Sequence, residues 1–474
     1  MNHKNTSSEI NLPPGSHVHF MGICGTAMAS LAGLLKDKGY NVTGSDTNPY
    51  PPMSTQLEKL GISIMKGYVA KNLQPKPDFI VVGNVISAHF EEAKAMIEMG
   101  INHTSLPKAL GELIIEDRQS IVIAGTHGKT TTTSLMAWVT NQCGLKPGFL
   151  IGGIPKNFNR SFQNPQGDYF VIEGDEYDTA YFDKVPKFVH YKPRHVILTS
   201  VEFDHADIYK DLDAVKEAFK KLLRLIPRDG HLLYCHGDKN IESILSEYKF
   251  SKAFSYGIEA GDYQAKILSQ DEQFTHFEVS KRGQSFGPFK VPMFGRYNIL
   301  NALSVIALSL ELQMTPDKIK SSLPGFLGVK RRQEIIGDLN GAVVVEDFAH
   351  HPTAVRETLK GIKERYNQRR IIAVFEPRSA TSRRKVFQRD YAQAFEAADE
   401  IIIAKAYEQT KISETDRFST AELVSDLKNL GKNAIEAENV DFIVKKLKDQ
   451  ASSKDLILIM SNGGFDNIYE KIFK

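Results

Sequence analysis

Short apolar runs alternate with stretches of helical spacing along most of this chain, and the alternation falls into three blocks. In the first, Val18-His-Phe-Met21 reads as a strand and Gly22-Ile-Cys-Gly-Thr-Ala-Met28 as a turn. An apolar helix over residues 29–38 and the strand Asn41-Val-Thr-Gly-Ser-Asp46 follow, with a further strand at Asp78-Phe-Ile-Val-Val-Gly83. The second block predicts strands at Ser120-Ile-Val-Ile-Ala124, Tyr169-Phe-Val-Ile172 and His195-Val-Ile-Leu-Thr-Ser200, with a helix over residues 134–142 after the first. Between His231 and Phe294 the pattern shortens to alternating stretches such as Gln273-Phe-Thr-His-Phe-Glu-Val-Ser280. That predicts antiparallel strands beside the main sheet. Gly295 then opens an apolar helix. In the third block, strands over 342–345, 370–375, 400–404 and 455–460 alternate with helical patterns. Apolar strands separated by helices predict layered α/β structure. The expected domains are residues 1–107, 108–326 and 327–474.

The turn after Ser120–Ala124 changes this from a fold reading to a chemical one. It runs Gly125-Thr-His-Gly-Lys-Thr-Thr131 and leads into a helix. Strand, glycine turn, Lys-Thr and helix is the layout of a phosphate-binding loop. The backbone N–H groups and the helix N-terminus favour anions there. Lys129 would add a charge for the β- and γ-phosphates, and Thr130 a hydroxyl for Mg²⁺. One departure stands out. The usual loop is G-x-x-x-x-G-K-[ST], but Ile123 occupies the first glycine position.

Other strand ends carry polar groups, and ligands of open α/β sheets bind beyond such ends. Glu173 sits at one end, followed by Asp175, Glu176 and Asp178. These acids are Mg²⁺ candidates, with a solvated acidic loop as the alternative for the last three. Asp204, His205 and Asp207 follow another strand, and His350-His351 another. By residue type the paired histidines are metal ligands, bases, nucleotide contacts or helix caps, and no zinc-type partner spacing lies nearby. Arg331-Arg332 and Arg378, Arg383 and Arg384 are suited to phosphates or carboxylates. The first turn resembles a dinucleotide fingerprint, with Asp46 about 20 residues after the glycines. Cys24 replaces its middle glycine, which hinders close approach of a pyrophosphate and argues against NAD.

Composition narrows the setting. Net charge is +2 and no polybasic block occurs, so neither nucleic acid nor an acidic membrane is an expected partner. The three cysteines, Cys24, Cys143 and Cys235, are scattered and fit a reducing cytosol rather than a disulfide frame. No secretory signal pattern and no membrane-length apolar run is evident, so a cytoplasmic location without membrane insertion is expected.

Taken together these residues resemble the Mur ligases, ATP-dependent amide-bond-forming enzymes of peptidoglycan synthesis. The resemblance rests on Gly125–Thr131, Glu173 in Ile-Glu-Gly-Asp-Glu, Asp204-His205, Asn298 and Asn301, Arg332, and Asp347 with His350-His351-Pro352. It also accounts for the short loop lacking the first glycine. The implied architecture has three α/β domains. A Rossmann-like N-terminal domain is followed by a central P-loop ATPase-type domain with added antiparallel strands and a Rossmann-like C-terminal domain. Within the family, the strings Gly22-Ile-Cys-Gly-Thr26, Gly44-Ser-Asp46, Tyr50-Pro-Pro-Met-Ser-Thr55, Phe188-Val-His-Tyr191, Phe375-Glu-Pro-Arg-Ser379 and Ser461-Asn-Gly-Gly-Phe465 resemble the branch that attaches a recycled tripeptide to UDP-N-acetylmuramate. The alternatives are the branch that attaches L-alanine and, in another class, a nucleotide-binding regulatory protein.

The resemblance implies roles for particular residues. Lys129, Glu173 and His205 would be catalytic. Thr130, Glu173 and His205 would hold Mg²⁺, two ions in all. Gly125, Thr126, His127, Gly128, Lys129, Thr130 and Thr131 would bind ATP together with Asn298, Arg332, Asp347 and His351. Gly22, Cys24, Gly25, Thr26, Ser45, Asp46 and Asn84 would hold the UDP-sugar, and Arg378 and Ser379 the peptide. Some family members carry a carbamylated lysine downstream of the motif histidine. By count Lys220 stands there, in a lysine-rich amphipathic run, and a solvated lysine is expected.

Overall fold

The computed structural model describes residues 10–49, 53–410 and 412–474. The string Tyr50-Pro-Pro52 lies outside them. The chain forms two compact units. One comprises Met1–Val201, Lys216–Tyr256 and Ser304–Ser322; the other comprises Glu202–Val215, Gly257–Leu303 and Leu323–Lys474.

The first unit holds two main sheets besides a two-stranded pair, Asp178–Ala180 with Asp183–Pro186. The smaller main sheet is wholly parallel, in the order Ser63–Lys66, Asn41–Asp46, His17–Met21, Phe79–Val82 and His103–Ser105. His17–Met21 is central, with later strands added to either side. Its carboxyl end is therefore the topological switch point, where such sheets bind ligands. In the larger sheet Ala253–Ile258, His231–Cys235, Pro193–Leu198, Gln119–Ala124, Tyr169–Gly174 and Gly148–Leu150 run parallel, and Phe162–Gln163 pairs antiparallel to the last. Gln119–Ala124 lies between Pro193–Leu198 and Tyr169–Gly174, with Ile121, Val122 and Ile123 fully buried. A continuous apolar run suits a strand covered on both faces.

The helix after the phosphate loop is Lys129–Gln142, so it starts five residues earlier than the apolar pattern suggests. Threonines are indifferent helix formers, which hides the first turn. Here Thr133 Oγ1 donates to the Lys129 carbonyl at 2.8 Å and Ser134 Oγ to that of Thr130 at 2.7 Å.

In the second unit, Tyr263–Gln270, Thr275–Lys281 and Gln284–Val291 form the expected antiparallel strands. A separate sheet runs Glu334–Leu339, Ala342–Asp347, Asp455–Met460, Arg370–Phe375, Glu400–Ala404 and Asn433–Ala437. It is parallel except at its first pair. Its faces bury two apolar layers, one with Ile371, Ala373 and Phe375, the other with Ile372 and Val374. The two outermost strands had no clear pattern: Gly337 interrupts one, and Asn433–Ala437 is short and partly exposed. No helix of the described residues is long and apolar enough to cross a membrane.

Candidate active site

The phosphate loop is strapped to the end of the neighbouring strand. Thr126 N–H donates to the Ser200 carbonyl at 3.0 Å, His127 N–H to Ser200 Oγ at 3.0 Å, and Thr199 Oγ1 to the His127 carbonyl at 2.6 Å. Gly125 has φ of 127°, and a Cβ there would stand 2.3 Å from Thr199 Oγ1, so only glycine fits. Gly128, with φ of 82°, turns the chain into the helix as its N-cap, with no side-chain cap bond. The glycines and the uncapped helix end thus leave an anion-attracting concavity.

Three candidate side chains, Lys129, Thr130 and Glu173, converge on it. Lys129 Nζ donates to the Gly125 carbonyl at 2.7 Å and meets Glu176 Oε2 at 3.2 Å. Burial opposes its charge, but Glu176, Asp175, Tyr177 and Glu173 outweigh that and raise its pKa, so Lys129 stays cationic. Thr130 Oγ1 donates to Glu173 Oε2 at 2.9 Å, while Glu173 Oε1 accepts from Gly152 N–H at 2.6 Å. Burial and then the Asp175 charge raise the Glu173 pKa. A hydroxyl and an under-compensated carboxylate side by side form a hard oxygen donor set that suits Mg²⁺. Two acids of the adjoining loop are not solvated. Asp175 pairs with Lys187 at 3.1 Å and Glu176, 3 % exposed, pairs with Lys129. Asp178 meets Lys184 at the surface.

The first glycine turn is organised differently from a dinucleotide loop. Gly22 and Ile23 N–H groups both donate to the Ser45 carbonyl, at 2.9 and 3.0 Å, and Cys24 N–H donates to Asp46 Oδ2 at 3.0 Å. Those amides are spent on the protein. The helix Thr26–Asp37 that follows Gly25 has no side-chain cap, which leaves its N-terminus for an anion. Burial, and then Asp46, push the Cys24 thiol up to about 11, so it stays protonated. Asn84 is exposed beyond Phe79–Val82. The expectation for Ser45 needs correction: its side chain is fully buried and donates to Glu92 Oε2 at 2.8 Å, so its hydroxyl faces the interior.

The second unit gathers a further group. Asp204 accepts from Thr381 Oγ1 and from His205 N–H, both at 2.7 Å. Against the opposing effect of burial, His350, His205 and His351 hold its carboxyl well below the usual carboxylate range. His205 has φ of 54°, a left-handed backbone of the kind stored at functional sites. His351 caps the helix Pro352–Arg365, its Nδ1 accepting from Thr353 N–H at 3.2 Å, and its Nε2 lies 3.2 Å from the Phe203 carbonyl. In this structure, therefore, both ring nitrogens of His351 face protein groups, the capping role among the sequence alternatives.

Asp347 accepts from Gln333 and Ala349 N–H groups at 2.8 and 2.7 Å. Burial raises its pKa against the pull of Arg332, whose guanidinium lies 4.6 Å from the Phe348 ring centre. Asn298 is buried and donates to the Phe294 carbonyl at 2.9 Å. Arg378 stacks 3.7 Å from the centre of Tyr407 and meets Glu376 at 3.3 Å. Ser379 Oγ accepts from Ser382 N–H at 2.9 Å, stabilising its own turn.

Lys220 is partly exposed and pairs with Glu247 and, at 2.9 Å, with Glu217, and bonds from both raise its pKa. Carbamylation needs a free amine, which this pairing disfavours. Sequence reasoning missed Glu92, Thr381 and the stacking role of Tyr407, whose partners are remote along the chain.

With this geometry established, likeness to known proteins is informative. Family profiles described as Mur ligase family, catalytic domain; Mur ligase middle domain; and Mur ligase, glutamate ligase domain match residues 17–118, 123–309 and 331–463. The chain is 40 % identical over 457 residues to UDP-N-acetylmuramate–L-alanyl-γ-D-glutamyl-meso-2,6-diaminoheptandioate ligase of Escherichia coli K12, covering 96 % of this chain and 97 % of that one. It is 34 % identical to UDP-N-acetylmuramate–L-alanine ligase of Desulfitobacterium hafniense Y51, covering 94 % and 97 %. A crystal structure of a murein peptide ligase from Psychrobacter arcticus 273-4 matches with a TM-score of 0.73 and 37 % identity, covering 97 % and 98 %.

Proposed function

The chain belongs to the Mur ligase family of ATP-dependent, amide-bond-forming enzymes, and on that premise we propose that it joins UDP-N-acetylmuramate to L-alanyl-γ-D-glutamyl-meso-diaminopimelate, releasing ADP and phosphate. The constellation of Lys129 and Thr130 on the phosphate loop with Glu173 at the end of the neighbouring strand carries the reaction type. The acceptor rests on 40 % identity to the tripeptide ligase against 34 % to an L-alanine ligase, both nearly end to end. Residues 1–107 hold the UDP-sugar, 108–326 the ATP, and 327–474 receive the peptide. The reaction is proposed to run in the cytoplasm, a reading that the three scattered cysteines and the use of ATP support.

A carboxylate does not acylate an amine unaided, because oxide is a very poor leaving group. Transfer of the γ-phosphoryl group to the lactyl carboxylate gives an acyl phosphate. Attack by the alanyl amine then forms the amide and expels phosphate. The obstacle is charge. Two unit charges ~4 Å apart repel by about 4 kcal/mol at an effective dielectric near 20. Lys129, kept cationic by its acidic neighbours, meets that need at the phosphates. Thr130, Glu173 and His205 would hold Mg²⁺, two ions in this reading, which would supply further neutralisation. The loop amides and the helix end orient the phosphates, with Asn298, Arg332 and Asp347 on the nucleotide. Arg378, held flat against Tyr407, presents a guanidinium to a peptide carboxylate.

The test offers purified protein UDP-N-acetylmuramate and ATP with either tripeptide or L-alanine, and follows ADP and product mass. Tripeptide is expected to support turnover at least ~100-fold more efficiently than L-alanine, and Lys129→Ala to abolish it while UDP-sugar binding survives. Preference for L-alanine would establish the sister activity instead. Phosphate release that neither acceptor stimulates would favour the regulatory reading.

A further inference from the structure

The glycine turn after His17–Met21 takes its shape from the end of the neighbouring strand, because its three amides at Gly22, Ile23 and Cys24 bond to the Ser45 carbonyl and the Asp46 carboxylate. What fixes that strand end lies in the interior. Ser45 Oγ donates to Glu92 Oε2 at 2.8 Å. The other Glu92 oxygen meets His19 Nε2 at 2.9 Å, and His19 Nδ1 meets Thr43 Oγ1 at 2.8 Å. Glu92, His19 and Ser45 expose no surface. Glu92 reaches this point from the helix Glu91–Glu98, while its partners lie on the two strands beside the turn.

A carboxylate sealed in the core is costly unless every lone pair is used. Packing alone would be served by an apolar side chain of the same volume. A buried network with a partner on each carboxylate oxygen instead specifies geometry. The geometry specified here is that of Ser45, and through its carbonyl that of the Gly22–Gly25 turn and the start of the helix Thr26–Asp37. We infer that Glu92 is a positioning residue for the sugar nucleotide: by holding Ser45 it presets the turn that receives the substrate's phosphates. This rests on the proposed function, in which residues 1–107 bind the UDP-sugar.

The test is Glu92→Gln. The amide keeps one acceptor for Ser45 but turns an NH₂ toward His19, so His19 must reverse its tautomer and its bond to Thr43 Oγ1 or lose its bond to residue 92. Calorimetric Kd and KM for UDP-N-acetylmuramate should rise about tenfold, with kcat and the KM values for ATP and tripeptide within twofold of wild type. A purely structural Glu92 would lower Tm and the amount of active protein and leave every KM alike; that result overturns the inference. Should Glu92→Gln fail to fold, Ser45→Ala removes only the hydroxyl and should raise the sugar-nucleotide KM about threefold by itself. An unchanged KM in that variant overturns the inference as well. Titration of wild type separates the two levels. A wild type that binds no UDP-N-acetylmuramate overturns the substrate reading beneath, whereas equal binding by wild type and variant overturns only the role of Glu92.

Discussion

His195 and His231 stand on adjacent parallel strands, far along the sheet from the phosphate loop, and their Nδ1 atoms are 3.1 Å apart. One nitrogen must donate and the other accept, so at most one of the two rings can carry a charge. Gln119 Oε1 lies 3.1 Å from His195 Nε2 and completes the set. Burial, then the proximity of His231, lowers the His195 pKa from 6.5 to about 3, and burial lowers that of His231. The folded protein therefore binds fewer protons than the unfolded chain between these limits. The associated stability is present in full above pH 6.5 and is lost as pH falls toward 3, at up to about 1.4 kcal/mol per pH unit for His195. Urea unfolding of wild type between pH 7.5 and 5 should show this decline, and His195→Gln should flatten the slope by nearly one proton. An unchanged slope in the variant would rule out a buried neutral pair.

Among the elements, the loop after the strand Asp455–Met460 shows how a glycine sets the pose of a neighbour. A Cβ on Gly463 would lie 1.9 Å from Arg378 Nε and 2.1 Å from its Cδ. The Gly463 carbonyl meanwhile accepts from Arg331 Nη2 at 2.6 Å, which holds the loop in place. Gly463→Ala should thus push Arg378 off Tyr407 and Glu376 rather than move the loop. Misplacing a substrate clamp by about 1 Å can cost 10²-fold. The KM for the tripeptide is expected to rise at least tenfold, with that for ATP unchanged; steady-state kinetics with each substrate varied in turn decides it. Equal KM values would mean that Arg378 does not touch the peptide. The same element marks the limit of reading sequence. Gly125, Gly128, Lys129 and Thr130 are neighbours along the chain, and Glu173 ends a plain apolar strand, so the candidate phosphate site is legible in the sequence itself. Glu92 finds His19 across 73 positions, and Thr381 finds Asp204 across 177. Such partners are chosen by the tertiary fold and leave no local period. Ser45 was placed correctly at a strand end beside the glycine turn, but strand alternation alone did not reveal that its hydroxyl is turned inward.

At the scale of the molecule, the expected boundary at residue 107 meets an interface in the first unit. Ser30 Oγ and Ser161 Oγ are 2.8 Å apart, Asn164 Nδ2 donates to the Leu34 carbonyl at 2.9 Å, and Ser105 Oγ donates to Asp183 at 2.8 Å. The closest fit is at Gly33, in the helix Thr26–Asp37, where an added Cβ would fall 2.2 Å from Cζ of Phe162. Glycine within a helix costs about 1 kcal/mol relative to alanine, so its presence reflects the ring rather than the helix. Gly33→Ala alone should therefore destabilise, despite better propensity, by about 1–3 kcal/mol through overpacking. Phe162→Ala alone should cost about 3–5 kcal/mol, as a buried ring is lost. The two changes should not add. With the ring gone, the new methyl meets no clash, fills part of the cavity and recovers helix propensity, so the double variant should be more stable than the sum predicts by at least ~1 kcal/mol. Urea midpoints of the four proteins measure the coupling. Additivity within ~0.5 kcal/mol would show that the small parallel sheet does not pack on the larger one through this contact. A coupling of the stated sign would make residues 1–107 a domain whose stability depends on the sheet beside it, and would place the UDP-sugar turn and the phosphate loop in one cooperative body.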